Sequence, residues 1–332
     1  MRLRLFCLAL AGLPLLAQID GTVINATTGM PQAGVEVSLI HPGENGMQTL
    51  ATATSGADGG FKIAKDLPSP PALLRATFQG VEYNQVVPPG TPSTGIKLSV
   101  YDATNKTSPA LSQQHLSIIE PGSDGIRISE TFLLGNTGTT TFLDPVKGSA
   151  QFYLPKAAQG NTRVTINAPN GMPITRAPEK TSQADVFKVG YPIKPGQTEF
   201  DVAYVLPPGS KFTAKKLGSG TDIMVSAESV KLSGADLKED GVKQLGQDGP
   251  RARVYEVLAK AGGSYEVSVE GTGALQAAQD AGPSEEDEDG GSPKPKAGQA
   301  RIYERLPWVL GLAFGILALG GTLLYRRSAA SL

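Results

Sequence analysis

Along most of the chain apolar and polar residues alternate with a period of two, the spacing of a half-buried β-strand. Val35, Val37 and Leu39 alternate with Glu36 and Ser38, and Ile96, Leu98 and Val100 alternate with Lys97 and Ser99. Further strands are expected over 18–24, 49–54, 60–63, 73–78, 81–87 and 96–101. The run Ser55-Gly56-Ala57-Asp58-Gly59 between two of them is a hairpin turn rich in residues that tolerate positive φ. So many strands in so short a stretch, separated by turn signals, predict a β-sandwich.

The alternation resumes with different spacing from about His115. Ile126, Ile128, Phe132 and Leu134 run into the turn Gly135-Asn136-Thr137-Gly138. Strands follow over 139–142, 151–155, 163–166 and 186–189, and Phe200, Val202, Tyr204 and Leu206 alternate up to Pro207-Pro208. Ile223 and Val225, Val230 and Leu232, Arg253 to Leu258 and Tyr265 to Val269 continue it, with Ala235 to Pro250 as a polar interruption. The expectation for 111–270 is one or two further antiparallel β-sandwiches. The chain as a whole is expected to be all-β outside its termini.

One stretch has no alternation at all. Leu306 to Tyr325 contains no charged residue, carries Trp308 and Tyr325 near its ends, and is followed by Arg326 and Arg327. A helix of that length covers about 30 Å, the thickness of a bilayer's hydrocarbon core, so a transmembrane span is predicted there. At the other end, Arg2 and Arg4, the apolar run Leu5 to Leu16 and Ala17 read as a secretory signal, with cleavage after Ala17. The order of the two segments places 18–300 outside the membrane and 326–332 in the cytoplasm. Residues 271–300, with Glu285-Glu286-Asp287-Glu288-Asp289 and Ser292-Pro293-Lys294-Pro295-Lys296, read as a disordered acidic linker. Gly311 and Gly315 in the span form a G-x-x-x-G motif, which points to a homodimer contact.

The first strands also carry a family pattern. Ile19-Asp20-Gly21-Thr22-Val23, the turn Thr28-Gly29-Met30-Pro31, then Gly34-Val35-Glu36-Val37 and finally Thr54, Asp58, Gly59 and Phe61 resemble the carboxypeptidase regulatory-like domain. One extra residue lies between Thr54 and Asp58, and Ser55 stands where the family has an Asp. Over 18–104 the resemblance implies a transthyretin-like sandwich that performs no catalysis itself and is attached to other extracellular modules.

Composition narrows the function. Forty Gly and 25 Pro among 332 residues suit short strands and many turns. A net charge of −1, with no basic stripe interleaved with aromatics, argues against nucleic acid as a partner. The single cysteine, Cys7, lies in the signal, so the mature chain has no disulfide and no thiolate-bound metal.

Candidate catalytic residues are few. His41, Glu44 and His115 formally match an H-x-x-E…H zinc set, but a Pro/Gly loop gives no rigid tetrahedral cage, and both histidines are expected on solvent-exposed loops. Asp58, or Asp236 with Glu239 and Asp240, is a weak calcium hint. No serine-nucleophile elbow or phosphate loop occurs. No catalytic, cofactor or metal site is therefore assigned. The expectation is a non-catalytic, single-pass protein of a bacterial inner membrane, with a periplasmic or extracellular ectodomain that binds another envelope protein. Two alternatives stand beside it: a glycan-binding or adhesive module that takes a polysaccharide, and an accessory subunit of a membrane-bound assembly.

Overall fold

The computed structural model describes residues 18–43, 46–68, 72–160, 162–169, 171–246 and 249–275. The expected signal, the linker beyond 275, the span, the tail and Glu44, Gly311 and Gly315 lie outside the described residues. Among the described residues no helix is long and apolar enough to cross a membrane. The described chain is nearly all β, with several antiparallel sheets and a single 3-10 turn at Lys156–Ala158.

The N-terminal unit contains β1 (Ile19–Asn25), β2 (Met30–Pro31), β3 (Glu36–Gly43), β4 (Gly46–Thr54), β5 (Gly60–Ile63), β6 (Ala72–Phe78), β7 (Val81–Val87) and β8 (Ile96–Val100). One sheet runs β4-β3-β6-β7, antiparallel throughout. In the other, β1 pairs antiparallel with β2 and β5 and parallel with β8. Alternate residues of both sheets meet in one core, with Ile19, Val23, Val37, Leu39, Leu74 and Leu98 each 2 % exposed or less. Burying each such side chain contributes about 1.5–3 kcal/mol.

Gly21, Gly59 and Ser55 have structural reasons. Gly21 faces Phe61 on β5 and Ile96 on β8, and a Cβ there would stand 2.1 Å from the Ile96 carbonyl and 2.8 Å from the Phe61 ring. Gly59 sits at φ +74° in the turn between β4 and β5, where the Asp58 carboxylate accepts the Gly60 N–H at 2.9 Å. Ser55 is buried, accepts the Val35 N–H at 2.9 Å and donates to the Gln32 carbonyl at 2.8 Å. It thereby ties the start of β3 to the end of β4.

The second unit follows through β9 (Ala103–Thr104), β10 (Leu111–Gly122), β11 (Gly125–Asn136), β12 (Thr141–Phe142), β13 (Ala150–Tyr153), β14 (Val164–Asn167), β15 (Ile174–Arg176), β16 (Glu179–Lys180) and β17 (Val186–Val189). It continues with β18 (Gly196–Leu206), β19 (Lys211–Lys215), β20 (Thr221–Ala227), β21 (Lys231–Ser233), β22 (Leu237–Gln244), β23 (Arg251–Val257) and β24 (Ser264–Glu270). Eight strands form one sheet in the order β15-β14-β18-β11-β10-β20-β23-β22, antiparallel except for the β10–β20 pair. Two three-stranded sheets, β13-β17-β16 and β19-β24-β21, and a parallel two-stranded pair, β12-β9, complete the unit.

Both small sheets lie on the same face of the large one. On β11, Ile126 and Ile128 belong to a core with Val267 and Val269 of β24, whereas Phe132 belongs to a core with Phe152 of β13 and Phe187 of β17. These three residues of β11 share one face because side chains on a strand alternate. The two expected arrangements, one large sandwich or two small ones, are thus merged: two cores share one sheet. The stretch 235–250, expected as a polar interruption, contains β22. Its apolar signal is hidden because it is an edge strand carrying Lys238, Glu239, Asp240 and Lys243, with a bulge between Glu239 and Val242.

The two units meet through polar contacts and through Ala103 and Leu143, which pack against the N-terminal core. Asn25 donates to Asp102 at 2.8 Å, Thr27 donates to the Thr139 carbonyl at 2.5 Å, and the Tyr83 and Thr141 hydroxyls are 2.9 Å apart. Lys194 donates to the Glu82 carbonyl and sits 5.1 Å from the centre of the Tyr83 ring.

Gly21→Ala is expected to destabilise the N-terminal unit by about 1–3 kcal/mol, the usual cost of overpacking. Proteolysis should then begin within 18–100 at lower denaturant concentration than in the unchanged chain, with the second unit's resistance preserved.

Candidate functional site

The common face of the large sheet is apolar at both ends and polar between them. Register sets this up. In the parallel pair His115 of β10 stands beside Asp222 of β20, and in the antiparallel pair Ser117 stands opposite Glu130 of β11. Lys216, from the connection between β19 and β20, joins them. All five residues are buried, with His115 and Glu130 each 8 % exposed.

The His115 ring stacks on Phe132 with centroids 4.1 Å apart and planes 7° from parallel. Its Nδ1 lies 3.3 Å from Asp222 Oδ2, and its Nε2 lies 3.2 Å from Ser117 Oγ and 3.6 Å from Glu130 Oε1. Lys216 Nζ donates to the Val257 carbonyl at 3.4 Å and stands 4.0 Å from Asp222 Oδ1. Two basic groups therefore face two acidic ones in the break between two hydrophobic cores. Within this cluster Glu130 Oε2 is buried with no hydrogen-bond partner.

Electrostatics fix the state of the imidazole. Burial by itself pushes its pKa down, but hydrogen bonds and charge from Asp222 and Glu130 outweigh burial and raise it to about 9. His115 is therefore an imidazolium at neutral pH, with both ring nitrogens donating. Burial first, then the charge of Glu130, hold the Tyr204 hydroxyl well above its ordinary range, and burial followed by Asp222 does the same to Tyr265.

Ser117, His115 and Asp222 have the connectivity of a nucleophile–base–orienting triad, but the arrangement lacks what acyl transfer requires. A base must be able to accept the serine proton, and this imidazole is already protonated. Ser117 is 2 % exposed, so a substrate carbonyl has no approach to it. What the cluster does is hold β10, β11 and β20 in register.

The residues singled out in sequence fall apart in space. His41 lies on β3 and His115 on β10, in separate sheets with separate cores, and both are on strands rather than loops. The expectation that His115 is solvent-exposed is corrected. An alternating strand puts it on the covered face, and two carboxyl groups make its burial tolerable. Asp58 serves its turn, Glu239 accepts from Arg253 at 2.8 Å, and Asp240 pairs with Lys243. Among the described residues no three His, Cys, Asp or Glu side chains are placed to hold a metal ion. Glu130 and Asp222 gave no signal in the sequence. Only the odd acidic residue inside an apolar alternation, as in Ile126-x-Ile128-x-Glu130-x-Phe132, marks one of them.

A second polar group lies on the far face. Asp201 accepts from Thr131 at 2.8 Å and from Asn167 at 3.0 Å, and Asn167 also donates to Glu199 at 3.3 Å. Burial and then the neighbouring Glu199 push Asp201 up to about 7.

No family model matches the sequence, and no curated protein matches it. Solved structures show distant likeness only. An M1 zinc metallopeptidase from Deinococcus radiodurans is 10 % identical with a TM-score of 0.24, over 48 % of this chain and 43 % of that one. The chain thus spans less than half the length of that protein. The major pilin subunit BcpA of Bacillus cereus is 14 % identical with a TM-score of 0.19, over 80 % and 90 % of the two chains. A tetra-tandem repeat from the extending region of a large adhesion protein is 12 % identical with a TM-score of 0.14, over 77 % and 66 %. Scores this low carry no argument about fold or function.

His115→Gln leaves buried Glu130 without a cationic partner and Asp222 with Lys216 alone, and is expected to cost about 3–5 kcal/mol, read as a lower thermal midpoint. The pKa of His115 is raised from 6.5 to about 9 on folding, so the native state holds the extra proton between those values. Stabilisation of at most about 3 kcal/mol is present below pH 6.5 and is lost as pH rises through 9. His115→Gln should flatten that slope. Asp201 is also raised, so its slope falls between about pH 4 and 7, and Asp201→Asn should flatten that window alone.

Proposed function

We propose that the chain is a non-catalytic, membrane-anchored envelope protein whose β-sandwich ectodomain binds a protein partner. Its N-terminal unit is read as a carboxypeptidase regulatory-like, transthyretin-like module. The observation that carries the binding role is the far face of the eight-stranded sheet. Leu116, Ile118, Leu133, Ile223 and Val254 lie there, half-buried, and belong to none of the three hydrophobic cores. Register brings Leu116 beside Ile223, Ile118 beside Val225, and Val225 beside Val254, so half-buried positions on β10, β20 and β23 flank Val225, which is itself buried. Glu199 and Asp201 stand on the same face, on β18. The partner this suits is a protein surface with an apolar ridge.

The sealed position of Ser117 and His115 supports a role without turnover. Against the glycan reading, the large hydrophobic residues exposed among the described ones are Met30, Met47, Val86, Val146, Met172, Val205 and Leu258, whereas Tyr101, Tyr153, Tyr191 and Phe212 are half-buried. The export and membrane anchoring rest on the apolar segments 5–16 and 306–325.

A photo-crosslinking residue at Leu116 of the full-length protein in cells should capture one protein partner. Ile223→Glu should reduce that capture about tenfold or more, since one buried unpaired charge costs several kcal/mol. Capture that is indifferent to Ile223→Glu, or retention on polysaccharide with no captured protein, contradicts the reading.

A further inference from the structure

A pair of strands resists force in two ways. Pulled apart from the same end, its hydrogen bonds open one after another, whereas a pull at opposite ends loads them all at once in shear. Which of the two a folded unit meets depends on where its first and last strands begin and end. In the N-terminal unit these are β1 and β8, and they are parallel neighbours, paired from Gly21 with Ile96 to Asn25 with Val100. Parallel neighbours start at the same end, so the chain enters this unit at one end of the pair and leaves at the other. Tension along the chain therefore shears that ladder.

Side chains lock the pair against sliding. Ile19 and Val23 of β1 and Leu98 and Val100 of β8 are each 2 % exposed or less in one core, so moving one strand past the other drags them out of it. Gly21 lets the two backbones approach, since a Cβ there would stand 2.1 Å from the Ile96 carbonyl. Beyond the ladder, the Ala26 N–H donates to the Val100 carbonyl at 2.8 Å, Asn25 donates to Asp102 at 2.8 Å, and the Asp102 N–H donates to Thr27 Oγ1 at 2.9 Å. The crossing to the second unit is paired as well, with β9 lying parallel to β12.

The second unit is entered and left at opposite ends too. The chain comes in at Leu111, the start of β10, a strand of 12 residues or about 40 Å. It goes out past β24, where the Gly273 N–H donates to the Pro121 carbonyl at 3.1 Å and the Leu275 N–H to Glu120 Oε1 at 3.0 Å, at the far end of that same strand. β10 is held by β11 along its whole length and by β20 from Gln114 to Ile119, and both ladders meet the load in shear. We propose that the ectodomain is a tension-bearing tether, in which both units pass a pull between the N-terminal end and the segment after Leu275 through ladders loaded in shear. This rests on the membrane-anchored reading above, since an anchored chain that holds a partner is pulled along its own length. A partner on the far face of the large sheet loads the second unit alone, and a grip on the N-terminal sandwich loads both.

The test is single-molecule force spectroscopy on the full chain with Cys7→Ser and Thr94→Cys, an exposed position just before β8 that then carries the one thiol in the sequence. One handle is always a tag inserted between Ala17 and Gln18. The other is on the C-terminus in the first arrangement and on the position-94 thiol in the second. The Asp20 N–H donates to the Ser93 carbonyl at 2.9 Å, so the second arrangement pulls β1 and β8 from the same end and peels them apart. The molecule and its stability are the same in both, so the direction of load alone separates them. The N-terminal unit should lengthen by roughly 260 Å in either arrangement, at several times the rupture force end to end that it needs when peeled, and a further end-to-end step of roughly 540 Å should mark 111–275. Equal rupture forces in the two directions, or end-to-end extension of either unit without a force peak, overturns the proposal. Both handles are on the chain, so this outcome is independent of the anchoring, which is read separately by whether the protein fractionates with the inner membrane.

Discussion

A sheet of eight strands with two small sheets on one face must do something with the gap between them. Here the gap is filled by His115, held between Asp222 and Glu130, with Lys216 beyond Asp222. Each group alone would be costly to bury, and as a set they neutralise one another. Because the four come from β10, β11, β20 and the segment before β20, the cluster ties the middle of the sheet together where hydrophobic packing is interrupted. The two cores on either side can then differ in composition: one is rich in Ile, Val and Tyr, the other in Phe.

That arrangement separates the two faces of the sheet by role. The covered face carries the polar groups with the most perturbed chemistry, all of them buried. The far face carries apolar positions outside the cores, and an acidic pair whose Asp201 titrates near neutrality. A scaffold with its reactive groups used for register and its open surface used for contact is the physical sense of the binding role proposed above. The junction sets the N-terminal sandwich against this platform by hydrogen bonds through Asn25, Asp102, Tyr83 and Thr141 and by Ala103 and Leu143 packed on the N-terminal core.

The strands of the N-terminal unit are legible because alternation and turn residues coincide there. Gly21, Ser55 and Gly59 each turn out to satisfy a close approach, a buried hydrogen bond or a positive φ. The second unit was legible as β but not in its layering. Nothing local in Ile126, Ile128 and Phe132 says that they enter two different cores, because that depends on which distant strands cover them. β22 was missed since an edge strand needs little apolar surface, and the parallel pairing of β10 with β20 has no short-range signature. His115 was misread for a related reason. Its partners, Asp222 and Glu130, lie 107 and 15 positions away in sequence, and only their presence makes a buried histidine tolerable.

The protein has two histidines, so their imidazole resonances can be followed individually by NMR through a pH titration of the histidine-labelled chain. The account requires one of them, assigned to position 115 by substitution, to keep its proton until about pH 9 and to exchange slowly with solvent. A midpoint for that residue near the ordinary value of about 6.5, with rapid exchange, would mean that no buried imidazolium holds the central strands together.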